Sequence, residues 1–167
     1  MSRSQELAEK VGQRAQRAGL TVATAESLTG GAVATALAAA PEASEWFHGA
    51  VVAYSPRVKQ DVLGVTPGPV VTERCAREMV RGAARVLEVD AAVATTGVGG
   101  PDEEEGEPPG TVYVAVVGPA GESCHRLALP GSPPEVVELA TERALELLLG
   151  SLTGEDGADG AAEAAGG

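Results

Sequence analysis

Apolar residues return every three to four positions at the start of the chain. Leu7, Val11, Ala15 and Leu20 share one side of a helix, charged residues fill the gaps and Gly19 sits at the end, so the spacing predicts an amphipathic helix over residues 4–19. The period then changes. Thr21-Val22-Ala23-Thr24 is a β-branched run that reads as a strand, and the turn Ala25-Glu26-Ser27 leads into a small-residue helix over 28–39, stopped by Pro41. A second strand covers 46–54. Ser55-Pro56 has the order of an N-cap followed by the first helical residue, and predicts a short helix through Leu63. Thr72, followed by acidic Glu73, opens a longer helix to about Leu87. Residues 90–96 are so uniformly Ala, Val and Thr that their strand is expected to be buried on both faces.

Residues 97–109 break the pattern. They are rich in Gly, Pro and Glu, show no periodicity, and form a loop long enough to suggest function. Strands over 112–117 and 122–129 follow, joined by the hairpin signal Gly118-Pro119-Ala120-Gly121, and Pro133-Pro134 starts a last helix through Leu149. The order α-β-α-β-α-α-β-β-β-α predicts an α/β domain over residues 1–150, with helices on both faces of a mixed, mostly parallel sheet. Residues 151–167, dominated by Gly, Ala and acids, are expected to form a disordered acidic tail.

Composition narrows the function classes. The formal net charge is -12, but Asp102, Glu103, Glu104, Glu105 and Glu107 crowd one loop and Glu155, Asp156, Asp159 and Glu163 the tail, so the body is only mildly acidic. No basic stripe suits nucleic acid, and no apolar run is long enough for a membrane span. The amino terminus lacks the pattern of a signal peptide, and Cys75 and Cys124 stand alone, as expected of a cytoplasmic protein. His48 and His125 are also isolated. No metal-ligand spacing occurs, and neither metal nor cofactor is expected.

In a sheet of this kind the site lies beyond the carboxyl ends of the strands, which nominates the loops 24–31, 54–59 and 96–109. In the first, Ser27 sits at a strand-to-helix turn where a nucleophile would stand. Thr29, Gly30 and Gly31 follow, with backbone N–H groups that suit either an oxyanion or a phosphate. A plain helix cap would also explain Ser27 or Thr29. In the second, Lys59 lies one turn into a helix after Tyr54. Arginine has displaced nearly every other lysine of this chain, yet a base must deprotonate, which lysine can do and arginine cannot. In the third, Thr95 and Thr96 end a strand before Gly97, Gly99 and Gly100, and their hydroxyls could orient a substrate amide or the lysine.

Thr24-Ala-Glu-Ser-Leu-Thr-Gly-Gly, the stretch 51–65 around Tyr54-Ser-Pro-Arg-Val-Lys59, Thr96-Gly-Val-Gly-Gly-Pro and Gly110-Thr-Val-Tyr-Val-Ala-Val, in this order, resemble the carboxy-terminal domain of the competence/damage-inducible protein CinA, over residues 5–149. The resemblance implies a three-layer α/β/α sandwich and a homo-oligomer, often a dimer. It also implies deamidation of nicotinamide mononucleotide in pyridine nucleotide salvage, without a cofactor. It places the family serine on Ser27, the lysine on Lys59, the motif tyrosine on Tyr54 and the motif threonine on Thr96, with Gly97 and Gly100 beside the substrate. Two positions depart from the family: Leu28 stands where cysteine is common, and Val137 stands where an arginine is usual near the last helix. The larger members carry a further amino-terminal domain. The rival reading is a non-catalytic nucleotide-binding module with the same fold. A weaker one is an interaction protein that uses the acidic loop and tail.

Overall fold

The computed structural model describes residues 1–153. Its elements come in the expected order: α1 (Arg3–Ala18), β1 (Val22–Glu26), α2 (Ala32–Ala38), a 3-10 turn (Ala43–Glu45), β2 (Phe47–Val52), α3 (Pro56–Leu63), α4 (Glu73–Leu87), β3 (Ala91–Gly97), β4 (Thr111–Gly118), β5 (Gly121–Ala128) and α5 (Pro133–Ser151). The proposed acidic tail from residue 154 lies outside the described residues. Ser151 and Leu152 are buried, so the folded body runs just past the expected boundary at 150.

The five strands form one sheet in the order β2-β1-β3-β4-β5. β1 pairs in parallel with β2 and with β3, whereas β3–β4 and β4–β5 are antiparallel. The sheet is therefore mixed but evenly divided, not mostly parallel. Beyond β3 no crossover helix returns the chain, so β4 can only come back in the opposite sense.

Alternation along the central strands builds two cores. On β3, Ala91 and Val93 face one side with Val112, Val114 and Val116 of β4, and meet α1, α2 and α5. Ala92 and Ala94 face the other side with Ala115, against Cys75, Met79 and Val80 of α4 and Leu63 of α3. This is a three-layer α/β/α sandwich. The alanine-lined side lets α3 and α4 come close. A Cβ added at Gly82 of α4 would lie 2.2 Å from the carbonyl oxygen of Leu63, so only glycine fits that crossing. Trp46, 1% exposed, closes the opposite core against Gly12, where an added Cβ would meet the indole at 2.7 Å.

α1 is the best-signalled element. Ser2 caps it in a full capping box with Gln5, and Gly19 ends it in the left-handed conformation with φ 68°. α2 is shorter than the 28–39 expected. It starts only at Ala32, because residues 27–31 form a turn with Gly30 and Gly31 at φ 57° and 102°.

Candidate active site

β1, β2 and β3 end at one edge of the sheet, where their loops enclose a cavity of about 460 Å³, within the range of small-molecule sites. Ser27, Tyr54, Lys59 and Thr96 all line it, as do Gly97 and Gly100. Four residues from three separate loops thus meet because parallel strands deliver their carboxyl ends to the same rim. Thr29, Gly30 and Gly31 do not line it.

Ser27 follows directly on β1. Its N–H donates to the carbonyl of Thr95 on β3 (3.0 Å) and its own carbonyl accepts from Gly30 (3.0 Å), so the backbone is pinned on both sides. The hydroxyl makes no hydrogen bond among the described residues, and the residue is 9% exposed. Ser27 is therefore not the cap of α2, and neither is Thr29.

The cap is Glu26, which the sequence reading left as part of the turn. Its side chain is fully buried. One carboxylate oxygen accepts from the Thr29 hydroxyl (2.7 Å) and from the N–H groups of Gly31 (3.2 Å) and Val33 (3.0 Å). The other accepts from the Thr24 hydroxyl (3.1 Å) and the Ala34 N–H (2.9 Å). Thr29 spends its single proton on Glu26, so Thr95, 2.8 Å away, is the donor to the Thr29 oxygen. A negative group at the amino end of a helix suits both the free N–H groups and the helix dipole. It also corrects an expectation: the Gly30 and Gly31 amides are bonded to Ser27 and Glu26, and are not open to an oxyanion or a phosphate. The only sequence hint was an acid four residues before a Gly-Gly helix start.

Lys59 is carried by α3, whose start is fixed by Ser55 and Pro56; the Ser55 hydroxyl accepts from the Val58 N–H at 3.3 Å. Lys59 is 1% exposed, and its Nζ donates to the carbonyl of Tyr54 at 3.2 Å. Burial pushes its pKa below the ordinary lysine value of 10.5, while the Cys75 thiol and the carboxylates of Glu104 and Glu105 pull it partly back. No hydrogen bond joins Lys59 to Ser27 among the described residues. Tyr54 contributes its main chain in this way, while the residue is 72% exposed.

Thr96 serves a neighbour. Its hydroxyl donates to the carbonyl of Val70 at 2.8 Å, fixing the segment between α3 and α4 against β3. Glu105 holds the same segment from the opposite side: its carboxylate accepts from the N–H groups of Val70 (2.8 Å) and Val71 (2.9 Å). Glu107 is bound to Arg126 of β5 at 3.0 Å. The acidic loop is therefore fastened at two points, and Asp102, Glu103 and Glu104 form a wall of the cavity. Among the described residues no group of three or more His, Cys, Asp or Glu is placed to hold a metal ion. No described helix is long and apolar enough to cross a membrane.

Known proteins share this layout. The model of the CinA C-terminal domain matches residues 4–152. A "CinA-like protein" of Frankia casuarinae is 38% identical over 139 residues, covering 80% of this chain and 32% of the relative. A Geobacillus kaustophilus protein named as competence-damage inducible is 42% identical over 127 residues, covering 72% of this chain and 30% of the relative. The chain thus spans about a third of the curated relatives' length. Crystal structures agree. A CinA superfamily protein from Klebsiella pneumoniae superposes with a TM-score of 0.85 at 32% identity, over 89% of this chain and 97% of that one. A competence/damage inducible protein from Agrobacterium tumefaciens gives 0.86 at 29% identity, over 92% and 98%.

Proposed function

This chain belongs to the CinA C-terminal domain family, and from that premise we propose that it is an amidohydrolase using Ser27 and Lys59. The family resemblance points to the carboxamide of nicotinamide mononucleotide, converted to nicotinate mononucleotide and ammonia. One observation supports the reading above the others. A serine with an unengaged hydroxyl and a buried lysine, its pKa lowered by burial, open onto the same cavity.

Neutral Lys59 takes the Ser27 proton as the serine oxygen attacks the carboxamide carbon. The carbonyl oxygen becomes an oxyanion. The Leu28 N–H is the nearest candidate donor in chain order: Leu28 lines the cavity, and this N–H has no hydrogen bond among the described residues. Lys59, now protonated, gives its proton to the departing nitrogen, the carbon–nitrogen bond breaks and ammonia leaves. Water, deprotonated by the same amine, then cleaves the Ser27 ester and restores the hydroxyl. The Tyr54 carbonyl holds Nζ while its lone pair does this work.

The absence of a direct Ser27–Lys59 hydrogen bond favours the second reading, a nucleotide-binding module without catalysis, although such bonds are often long before substrate binds. Ammonia release from nicotinamide mononucleotide, measured beside Ser27→Ala, separates the two. Release that disappears in the variant supports the hydrolase; binding without release supports the module.

A further inference from the structure

We infer that Thr29 is a positioning residue for the nucleophile, acting through Glu26, and not a contact of the substrate. The inference rests on the amidohydrolase reading and adds to it the device that holds Ser27 in place. Two strands end beside the serine, and both change character at their last step. On β1 the side chains of one face run Val22, Thr24, Glu26; on β3 they run Ala91, Val93, Thr95. Glu26 and Thr95 are direct partners across the two strands. Thr24, Glu26 and Thr95 are completely buried and Thr29 nearly so, yet none of the four lines the cavity. A carboxylate and three hydroxyls, buried where the same rows hold valine one step earlier, carry a desolvation cost that core packing does not call for.

Their hydrogen bonds form one connected frame around the serine. The Thr95 hydroxyl donates to the Thr29 oxygen (2.8 Å), and Thr29 donates to the Glu26 carboxylate (2.7 Å), which also gathers the Thr24 hydroxyl and the first N–H groups of α2. The Thr95 main chain closes the circuit, its carbonyl accepting from the Ser27 N–H at 3.0 Å. Ser27 and Leu28 thus lie between two fastened points, Glu26 before them and Thr29 after them. The Ser27 hydroxyl and the Leu28 N–H make no hydrogen bond of their own among the described residues, so the frame alone sets where they point. A fully satisfied buried network is stiff. Held this way, the serine oxygen and the Leu28 N–H face one cavity before substrate arrives, and attack needs no rearrangement of the turn. Thr29 is the link through which the Thr95 hydroxyl reaches Glu26. Without its hydroxyl the two strand ends are joined only by backbone.

Thr29→Val keeps the shape of the side chain and removes the hydroxyl. Ammonia release from nicotinamide mononucleotide is measured on the full chain for the parent, Thr29→Val and Thr29→Ser, with Ser27→Ala as background and circular dichroism to confirm that each variant is folded at the assay temperature. The expected result for Thr29→Val is a kcat lowered at least about thirtyfold with KM within about twofold, because a misplaced nucleophile weakens the transition state and not the bound substrate. Thr29→Ser should recover most of kcat, since the hydroxyl is the link. Parental kcat in Thr29→Val, a loss that lies in KM, or no recovery in Thr29→Ser would overturn the inference and leave the amidohydrolase standing. If Thr29→Val does not fold, Thr95→Val asks the same question from the other end of the link: a kcat drop of at least about fivefold at constant KM supports the inference, and an unchanged kcat overturns it. No serine-dependent ammonia from the parent would overturn the amidohydrolase reading, and the inference with it.

Discussion

The Lys59 ammonium nitrogen lies 3.2 Å from the main-chain oxygen of Tyr54, five residues earlier in the chain. A carbonyl only accepts, so it uses one N–H of the lysine and leaves the nitrogen lone pair of the neutral form uncommitted. A backbone acceptor holds the amine whichever side chain follows at Tyr54. Lys59→Arg should therefore lower turnover roughly a thousandfold, because the guanidinium keeps its proton while the charge is retained. Tyr54→Phe should cost little through Lys59, since its ring is not what holds the nitrogen. Steady-state ammonia release by the two variants checks both statements, and an active Lys59→Arg would remove lysine from the role of base.

The depressed Lys59 pKa has two consequences with pH. The proposed mechanism requires the neutral amine, so kcat/KM should rise with pH through an inflection below 10.5, the ordinary lysine value. Stability should move the same way. Below the folded-state pKa, Lys59 is charged in both states and the folded state bears its desolvation. Between that pKa and 10.5 the unfolded chain holds more protons, so stability climbs with pH. Lys59→Met should lose this climb and be more stable near pH 7 by about 1 kcal/mol. Urea midpoints at several pH values for both proteins measure it, and parallel pH slopes would contradict the assignment.

Glu26 carries a larger structural load than Ser27, the proposed nucleophile beside it. Glu26→Ala leaves the N–H groups of Gly31, Val33 and Ala34 and the hydroxyls of Thr24 and Thr29 without their acceptor. A loss of about 3 kcal/mol or more is expected. Ser27→Ala removes a hydroxyl with no hydrogen bond among the described residues and should stay within about 0.5 kcal/mol of the parent. Denaturant unfolding of the pair tests the contrast; similar losses would mean that Ser27 is also structural.

Glu105→Ala should loosen the cavity wall without unfolding the domain. The Val70 and Val71 amides lose their carboxylate acceptor, at a cost of about 1–2 kcal/mol on a partly solvated segment. Faster hydrogen exchange at those two amides, with KM rising more than kcat falls, is the expected signature. Unchanged exchange would show that Thr96, through its bond to the Val70 carbonyl, suffices alone.

Both thiols should resist alkylation. Burial pushes the Cys75 thiol up, and burial followed by the charge of Glu73 pushes Cys124 up to about 11. At pH 8 only about a thousandth of Cys124 would be thiolate, and the thiolate is the reactive form. Labelling with iodoacetamide, followed by mass, should be slow for both; rapid modification of Cys124 would contradict the assigned environment.

What was legible in the chain was what acts over short range. The 3.6-residue period marked α1, the Ser55-Pro56 pair marked α3, and the unbroken apolar run marked β3 as central. Local rules fail where a side chain reaches beyond them. Glu26 caps a helix that starts six residues later, outside the three-residue reach of an ordinary N-cap, and so α2 was expected four residues early. The Glu105 contacts to Val70 and Val71 span 34 to 35 residues and leave no sequence signal. The even division of the sheet was hidden for a related reason: strand content is local, whereas strand direction depends on how a long loop returns. Ser27 and Lys59 stood out as candidate nucleophile and base from their residue types and loops, and the family resemblance placed its serine and lysine on the same two positions. Only the meeting of three strand ends puts them on one cavity.

The split sheet also separates tasks in space. Every cavity-lining strand end comes from the parallel half, and because β4 runs back from Gly97 toward Ala92, the β4–β5 turn lies at the opposite edge of the molecule. Pro119 and Ala120 at its tip are exposed. The turn is thus a natural handle: a fluorophore, an affinity tag or a surface tether attached there would report on or immobilise the protein while leaving the cavity rim facing free solution.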